Sequence, residues 1–224
     1  LLDGGDKVVI YGNLYVANSL QSLMNITVTG NVVLKADRAT DIEFKQTTVF
    51  GKVQFEDAKV ALLNAKFAGI GQVAAATTRI KLTFTDSTVA IIEVQKEDVE
   101  LYASGTTEVS SVRLFSNATL DTTDLTDGKI LPKIVVGQGV TSIVLNASIE
   151  NVIIESDENV VIDGRGNFGE VTVNTTKQVA INTVGKIHHL ILSENVEQPH
   201  ISLGEGIEEL GKVTTSLPIH EAIT

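Results

Sequence analysis

Residues 149–192, IENVIIESDENVVIDGRGNFGEVTVNTTKQVAINTVGKIHHLIL, decide the fold. The pattern apolar-x-x-apolar-x-apolar occurs three times in this stretch, beginning at Ile149, Phe168 and Ile187. A shorter apolar-x-apolar pattern lies between these, for example at Val160. Alternation with a period of two predicts strands that bury one face, and the Val, Ile, Leu and Thr content favours the same structure. Each repeat is therefore predicted to contain two strands.

The same two patterns run through most of the chain, with a period of about 19 to 20 residues. The longer pattern begins at Ile70, Val89, Val109, Leu131, Ile149, Phe168, Ile187 and Ile207. Two strands per repeat without an intervening helix exclude a βαβ fold, and one rung cannot bury its own apolar face. The prediction is an all-β parallel β-helix, for which we favour the right-handed form, with about ten to eleven stacked rungs.

The repeat predicts one solenoid domain over residues 1–224. Regular rungs are expected over residues 56–215, and residues 216–224 form a tail. Residues 1–55 are expected to hold less regular rungs, because the apolar pattern recurs there at shorter spacings, at Ile26, Ile42 and Val53. An insertion near Gly137 to Gly139 disturbs the order of the later rungs.

Composition narrows the classes of partner. The formal net charge is −11, and the lysines form no basic stripe, so nucleic acid is not expected as a partner. No apolar run reaches the ~20 residues that a membrane span needs. The chain has no cysteine, which excludes disulfides, zinc–thiolate sites and thiol catalysis. The start at Leu1 lacks a methionine and is interpreted as a piece of a longer chain.

The segment Asp163-Gly-Arg165-Gly-Asn167 concentrates a carboxylate, a guanidinium and an amide. We interpret it as the corner between the two strands of a rung, because Asp, Gly and Asn are turn residues. Asp and Asn also follow the short strand in other rungs, which predicts one stacked column at this corner. Arg165 is not explained by the repeat. The candidate binding residues are Asp121, Asn146, Asp163, Arg165, Asn167 and Asn182.

No cofactor or metal site is predicted, although the acidic column is considered as a calcium site, for which six to eight oxygen ligands are needed. The adjacent His188 and His189 are expected to point to opposite sides of a strand, which makes a poor metal chelate. Aromatic residues are 4% of the chain. Four phenylalanines fall on inward positions and are predicted to be core: Phe44, Phe55, Phe84 and Phe168.

About residues 60 to 215 resemble β-helical regions of large surface proteins of Gram-positive bacteria, many of which carry S-layer homology modules elsewhere. The runs that carry the resemblance are IENVIIESDENVVIDGRGNFGEVTVNTTKQVAI and VGKIHHLILSENVEQPHISL. The resemblance implies an extracellular location at the bacterial cell surface. It also implies a structural or adhesive role, with cell-wall or extracellular polysaccharide or other surface proteins as partners.

Three functions follow as hypotheses. The leading one is a non-catalytic structural or adhesive module that binds through outward rows of the solenoid. The second is a polysaccharide lyase or hydrolase on the same fold, which would need paired or clustered carboxylates in a cleft. The third is a self-assembling fibre or surface-layer subunit, because the ends of a solenoid are open strand edges.

Overall fold

The computed structural model describes residues 1–16, 22–73, 80–95, 97–193, 201–216 and 223. Over these residues the chain is a parallel β-solenoid of about nine turns, which confirms the predicted fold and comes close to the predicted number of rungs. Its strands are β1 Leu2–Ile10, β2 Leu14–Val16, β3 Ser22–Val28, β4 Val32–Lys45, β5 Thr48–Val49, β6 Val53–Leu63, β7 Lys66–Val73, β8 Ile80–Thr85, β9 Thr88–Val94, β10 Val99–Gly105, β11 Glu108–Leu114, β12 Ala118–Leu125, β13 Leu131–Val136, β14 Ser142–Asn146, β15 Ile149–Ile154, β16 Val160–Arg165, β17 Phe168–Val173, β18 Val179–Ile181, β19 Gly185–Leu192, β20 Ile201–Leu203 and β21 Ile207–Thr214. A single 3-10 turn, Thr126–Gly128, interrupts the described strands.

From β8 onward each rung contributes one strand to each of two parallel ladders. The even-numbered strands β8 to β20 form the first ladder, and the odd-numbered strands β9 to β21 form the second. Inward residues of successive rungs stack directly, as Phe168 does on Ile149 and Ile187. Each strand can therefore bury its alternate side chains in one continuous core.

The longer apolar pattern is a strand with a bend in it. In β17, buried Phe168 is followed by two partly exposed residues, Gly169 and Glu170, before buried Val171. A flat strand cannot point two consecutive side chains to the same side. The two middle positions of apolar-x-x-apolar-x-apolar are therefore a corner, and the solenoid has three sides.

This bend also corrects the prediction for the histidine pair. His188 and His189 occupy the two bend positions of β19, so both side chains lie outside the core. His189 Nδ1 lies 3.5 Å from Glu170 Oε2, and His189 Nε2 lies 2.9 Å from Thr214 Oγ1. The pair faces solvent and neighbouring rungs instead of opposite sides of a sheet.

The core is aliphatic with a few phenylalanines. Phe44, Phe84 and Phe168 are buried as predicted, while the Phe55 side chain lies outside the described residues. Phe44 contacts Phe67 edge to face, with ring centroids 5.9 Å apart. Burying such a side chain stabilises the fold by roughly 1.5–3 kcal/mol.

Short rungs do not explain the irregular sequence pattern of the first 55 residues. Ile26 pairs with Val8, whereas Ile42 pairs with Val60 and Val53 pairs with Gly71. The three residues thus lie on different sides of the solenoid, and the distances between them in sequence are not rung lengths. Register shifts within β1 and β4 are the irregular features found there.

Candidate functional site

The Asp163–Asn167 segment is mostly strand. Strand β16 continues to Arg165, so that only Gly166 and Asn167 form the corner before β17. Gly164 has a φ of +122°, and a Cβ there would collide with the Leu145 backbone of the rung below. Glycine is therefore required by close backbone approach as well as by the left-handed conformation.

The predicted single column of Asp and Asn is wrong: the structure divides it into two rows. Asp121 pairs with Asn146, but Asn146 pairs with Arg165. Asp163 instead pairs with Val144, and it accepts a 3.1 Å hydrogen bond from Asn182 Nδ2. The cause is a register in which Ile143 stacks on Ile162, two residues away from the predicted alignment.

Two of the predicted residues serve turns. Asp121 Oδ1 accepts hydrogen bonds from the Thr123 backbone N–H at 3.0 Å and from its hydroxyl at 2.7 Å. Asn167 Oδ1 accepts the Lys186 backbone N–H at 3.0 Å and so joins two rungs at the corner. The Asp121 contact is that of an Asx-type turn, whereas the Asn167 contact runs between rungs, and both satisfy backbone donors.

Arg165 is different from these turn residues. Its side chain is exposed, and no hydrogen bond or ion pair reaches its guanidinium from the residues that the structure describes. A planar guanidinium carries five donors, and here all of them are available to a ligand.

The 3-10 turn at Thr126–Gly128 opens the surface next to Arg165. It bulges from the rung, and the ladder between β11 and β13 pairs only at Val112 to Leu114. The bulge is held in place by Thr126 Oγ1, which donates to Gly105 O at 3.0 Å, and by Lys129. Lys129 Nζ donates to Thr106 O at 3.1 Å and to Glu108 Oε1 at 3.0 Å. Grooves therefore lie on both sides of a fixed loop.

The groove on the Arg165 side has a volume of about 300 Å³. Arg165 and Lys129 supply its two cations, and Thr122, Thr123 and Ser148 supply hydroxyl groups. On the other side of the loop, a groove of about 320 Å³ is lined mainly by apolar side chains such as Leu125 and Ile130. The first groove can bind polar groups through donors and hydroxyls, and the apolar surface beside it can accommodate a hydrophobic ring face.

A further groove of about 490 Å³ lies on the next side of the same rungs. It is located where Gly137 stands between Phe115 of the rung below and Glu155 of the rung above. Arg113 and Lys133 also line it. This groove was not predicted from the sequence, although one signal was Phe115, an aromatic residue directly after the last buried position of its strand.

A column of left-handed residues at the corner after the first ladder was also not predicted from the sequence. Gln46, Asn64, Asp86 and Gly105 all have positive φ. A small residue follows each of them in sequence, and that dipeptide is the signal that could have revealed the column. Asn, Asp and Gly tolerate this conformation best.

Asp86 has a perturbed pKa within this column. Its Oδ1 accepts the Thr106 backbone N–H at 2.9 Å and the Thr106 hydroxyl at 3.0 Å. Both hydrogen bonds lower the pKa of the Asp86 carboxyl below its ordinary value, and the backbone hydrogen bond has the larger effect. The carboxylate thus joins two rungs in its charged form.

Few carboxylates line the described grooves. Among four of these grooves, the one richest in carboxylates has two, Asp98 and Glu100. The described ranges contain no group of three or more His, Asp or Glu residues that could hold a metal ion. Within the same ranges, no helix has the length and apolar character to cross a membrane.

No protein-family model, curated protein or solved structure matches the chain.

Proposed function

We propose that the protein is a non-catalytic structural and adhesive module of a bacterial cell-surface protein, which binds polysaccharide through outward grooves of the solenoid. The observation that carries the proposal is the exposed Arg165 guanidinium. It lines a groove with Lys129 and hydroxyl side chains and has no protein partner in the described structure. Guanidinium, ammonium and hydroxyl groups are suited to hydrogen bonding with the oxygens of a sugar.

The fold supports the mechanical part of this role. The parallel ladders join each rung to the next, and buried aliphatic side chains stack in a continuous core between them. A stack of this kind holds the grooves at fixed positions along its axis, and a preorganised site loses less entropy when it binds.

Sedimentation with purified Gram-positive cell walls tests the proposal. The protein should co-sediment with the walls, and Arg165→Ala should weaken binding about tenfold, the loss expected for a hydrogen-bonded charge. Lys177→Ala is the matched control, because Lys177 is also an exposed cation but lines none of these grooves. Binding that is equal in the wild type and in Arg165→Ala would contradict the proposal.

A reducing-sugar assay on the same samples separates the enzymatic alternative. A binding module should release no new reducing ends or unsaturated products from the polysaccharide it binds. Turnover that is lost on mutating outward residues of the solenoid would replace the proposed function with a lyase or hydrolase activity.

End-to-end self-association is a second candidate. Within the described part of the chain, β1 has a ladder partner on one side only, and its Val8 and Val9 side chains are 46% and 42% exposed. An open edge of this kind can pair with a strand of another copy. Light scattering should then show particle length rising with concentration, and a strict monomer at high concentration would argue against this candidate.

A further inference from the structure

We infer that the groove at Phe115 is a binding subsite for an acidic sugar, a hexose ring that bears a carboxylate or sulfate. The inference rests on the proposed polysaccharide-binding function and names the ligand class. It uses a different groove from that of Arg165, so the two can fail separately.

The groove exists because one position in a stacked row has no side chain. Successive rungs place Phe115, Gly137 and Glu155 above one another, with Gly137 N–H bonded to Leu114 O at 2.8 Å and Glu155 N–H bonded to Val136 O at 2.8 Å. Two rung spacings separate Phe115 from Glu155, about 10 Å. The phenyl wall leans over Gly137 into this gap, and the groove between it and the carboxylate wall of Glu155 has a volume of about 490 Å³, within the range of small-ligand sites.

The phenyl wall is held in place by the glycine. A Cβ on Gly137 would lie 3.0 Å from Phe115 Cδ1, from Phe115 Cε1 and from Leu114 O. The Phe115 ring therefore lies against bare backbone, and it is still 41% exposed. An exposed ring held in this way offers an apolar surface to the C–H groups of a sugar at low entropic cost.

The loop above the ring is also fixed. Gly139, with a φ of +79°, donates its backbone N–H to Asp157 Oδ1 at 2.8 Å. Ser156 Oγ donates to Val140 O at 2.8 Å. The groove wall formed by Gly137 and Gln138 is thus preformed and does not have to be ordered when a ligand binds.

The charged side chains that line the groove favour an anionic ligand. Arg113 and Lys133 are exposed and make no ion pair within the described residues. The ladder neighbour of Arg113 is Glu93. The Glu93 carboxylate accepts hydrogen bonds from Gln72 and Gln95, at 3.1 and 2.6 Å, instead of pairing with Arg113. Two unpaired cations within a chain of net charge −11 form a local site for an anion on a surface that otherwise repels polyanions. Glu155 can accept a sugar hydroxyl opposite them.

Calorimetry with soluble polymers tests the inference in calcium-free buffer that contains a chelator. Alginate supplies carboxylated sugars, dextran sulfate supplies sulfated sugars, and dextran is the neutral control. Binding of at least one of the acidic polymers and not of dextran is expected, and the preferred acidic polymer identifies the anionic group.

Four substitutions separate sugar recognition from simple charge attraction. Phe115→Ala and Gly137→Ala should each weaken acidic-polymer binding about tenfold, the first by removing the ring and the second by displacing it. Lys133→Ala should weaken binding by a similar factor and reduce its salt dependence. Phe50→Ala is the matched control, because Phe50 is 56% exposed and outside the groove. Thermal melts of each variant check that it is folded.

Each remaining outcome would overturn the inference. Equal binding of dextran would refute the charge argument, and acidic-polymer binding that survives Phe115→Ala and Gly137→Ala in folded protein would indicate charge attraction alone. If neither acidic polymer binds while cell-wall binding still depends on Arg165, the proposed function stands and this subsite is refuted.

Discussion

Two adjacent stretches of the solenoid show what a regular repeat provides and what an interruption adds. From β15 to β19, ladder residues stack without a register shift, as Phe168 does on Ile149 and Ile187. From β11 to β13, the ladder pairs over three residues only, and a bulge at Thr126–Gly128 separates the strands. The regular stretch encloses a continuous core of buried apolar side chains, whereas grooves border the interrupted stretch. Beside these grooves, Arg165, Arg113 and Lys133 have no ion-pair partner among the described residues.

The difference indicates that stiffness and ligand binding depend on different parts of one fold. Parallel rungs stacked at about 4.8 Å leave no room between them for a ligand, so a groove needs an insertion or a missing side chain. The chain uses both devices, the inserted 3-10 turn beside Arg165 and the glycine at position 137 beside Phe115. Stiffness and binding therefore occupy different residues and should respond separately to mutation.

Truncating one phenylalanine in each stretch should give the largest contrast. Phe168 is fully buried, so Phe168→Ala should lower the free energy of unfolding by about 3–5 kcal/mol. Phe115 is 41% exposed, so Phe115→Ala should cost less than about 1 kcal/mol. Urea unfolding followed by circular dichroism measures both, and similar losses for the two variants would refute the separation of core from groove.

Adding a methyl group to one glycine in each stretch should give a smaller contrast. Gly164→Ala combines a φ of +122° with a Cβ 2.8 Å from Leu145 N, and we expect a loss of about 3 kcal/mol. Gly128→Ala has a φ of +65° but no atom within 4 Å of the added Cβ, so only about 1–2 kcal/mol of backbone strain is expected. Thermal melts compare the two variants, and an equal loss would mean that close stacking in the regular stretch is less restrictive than its geometry implies.

The fold could be predicted from the sequence because burial imposes the alternation directly. A rung that shifts by one residue turns its apolar side chains outward, and this excludes the odd registers. A shift of two residues keeps every side chain on its own face. Val160 and Ile162 could thus be aligned with Ile143 and Leu145, although the structure stacks Ile143 on Ile162. The pattern alone could not distinguish these two registers, and the single Asp and Asn column was wrong for this reason.

The grooves could be predicted only in part. Arg165 was recognisable because no turn or core requirement explains an arginine at that position. The Phe115 groove depends on which residue of the next rung lies above the ring, and that residue is Gly137, 22 positions later in the sequence. A contact between rungs of unequal length follows from the register, which the apolar pattern does not determine.

The pH dependence of stability should give the smallest effect, and it compares two left-handed aspartates. Asp86, whose pKa is lowered by Thr106, and Asp98 have φ values of +49° and +62° and both are exposed. A carboxyl whose folded pKa is lowered contributes stability that is fully present above its unfolded pKa, about 3.8. That contribution is lost as the pH falls through the folded pKa, so stability from Asp86 should decline below about pH 4.

Asp86→Asn should therefore reduce the slope of the unfolding free energy against pH in the acid range. The slope reports the number of protons taken up on unfolding, and that number should fall by at most about one. The amide oxygen can still accept the Thr106 N–H, so stability at neutral pH should change little. Asp98→Asn is the control, because the described residues supply no hydrogen bond to the Asp98 carboxylate. Urea titrations from pH 2 to 7 measure the slopes. An unchanged slope in Asp86→Asn would mean that the link between rungs at this corner does not depend on the charge.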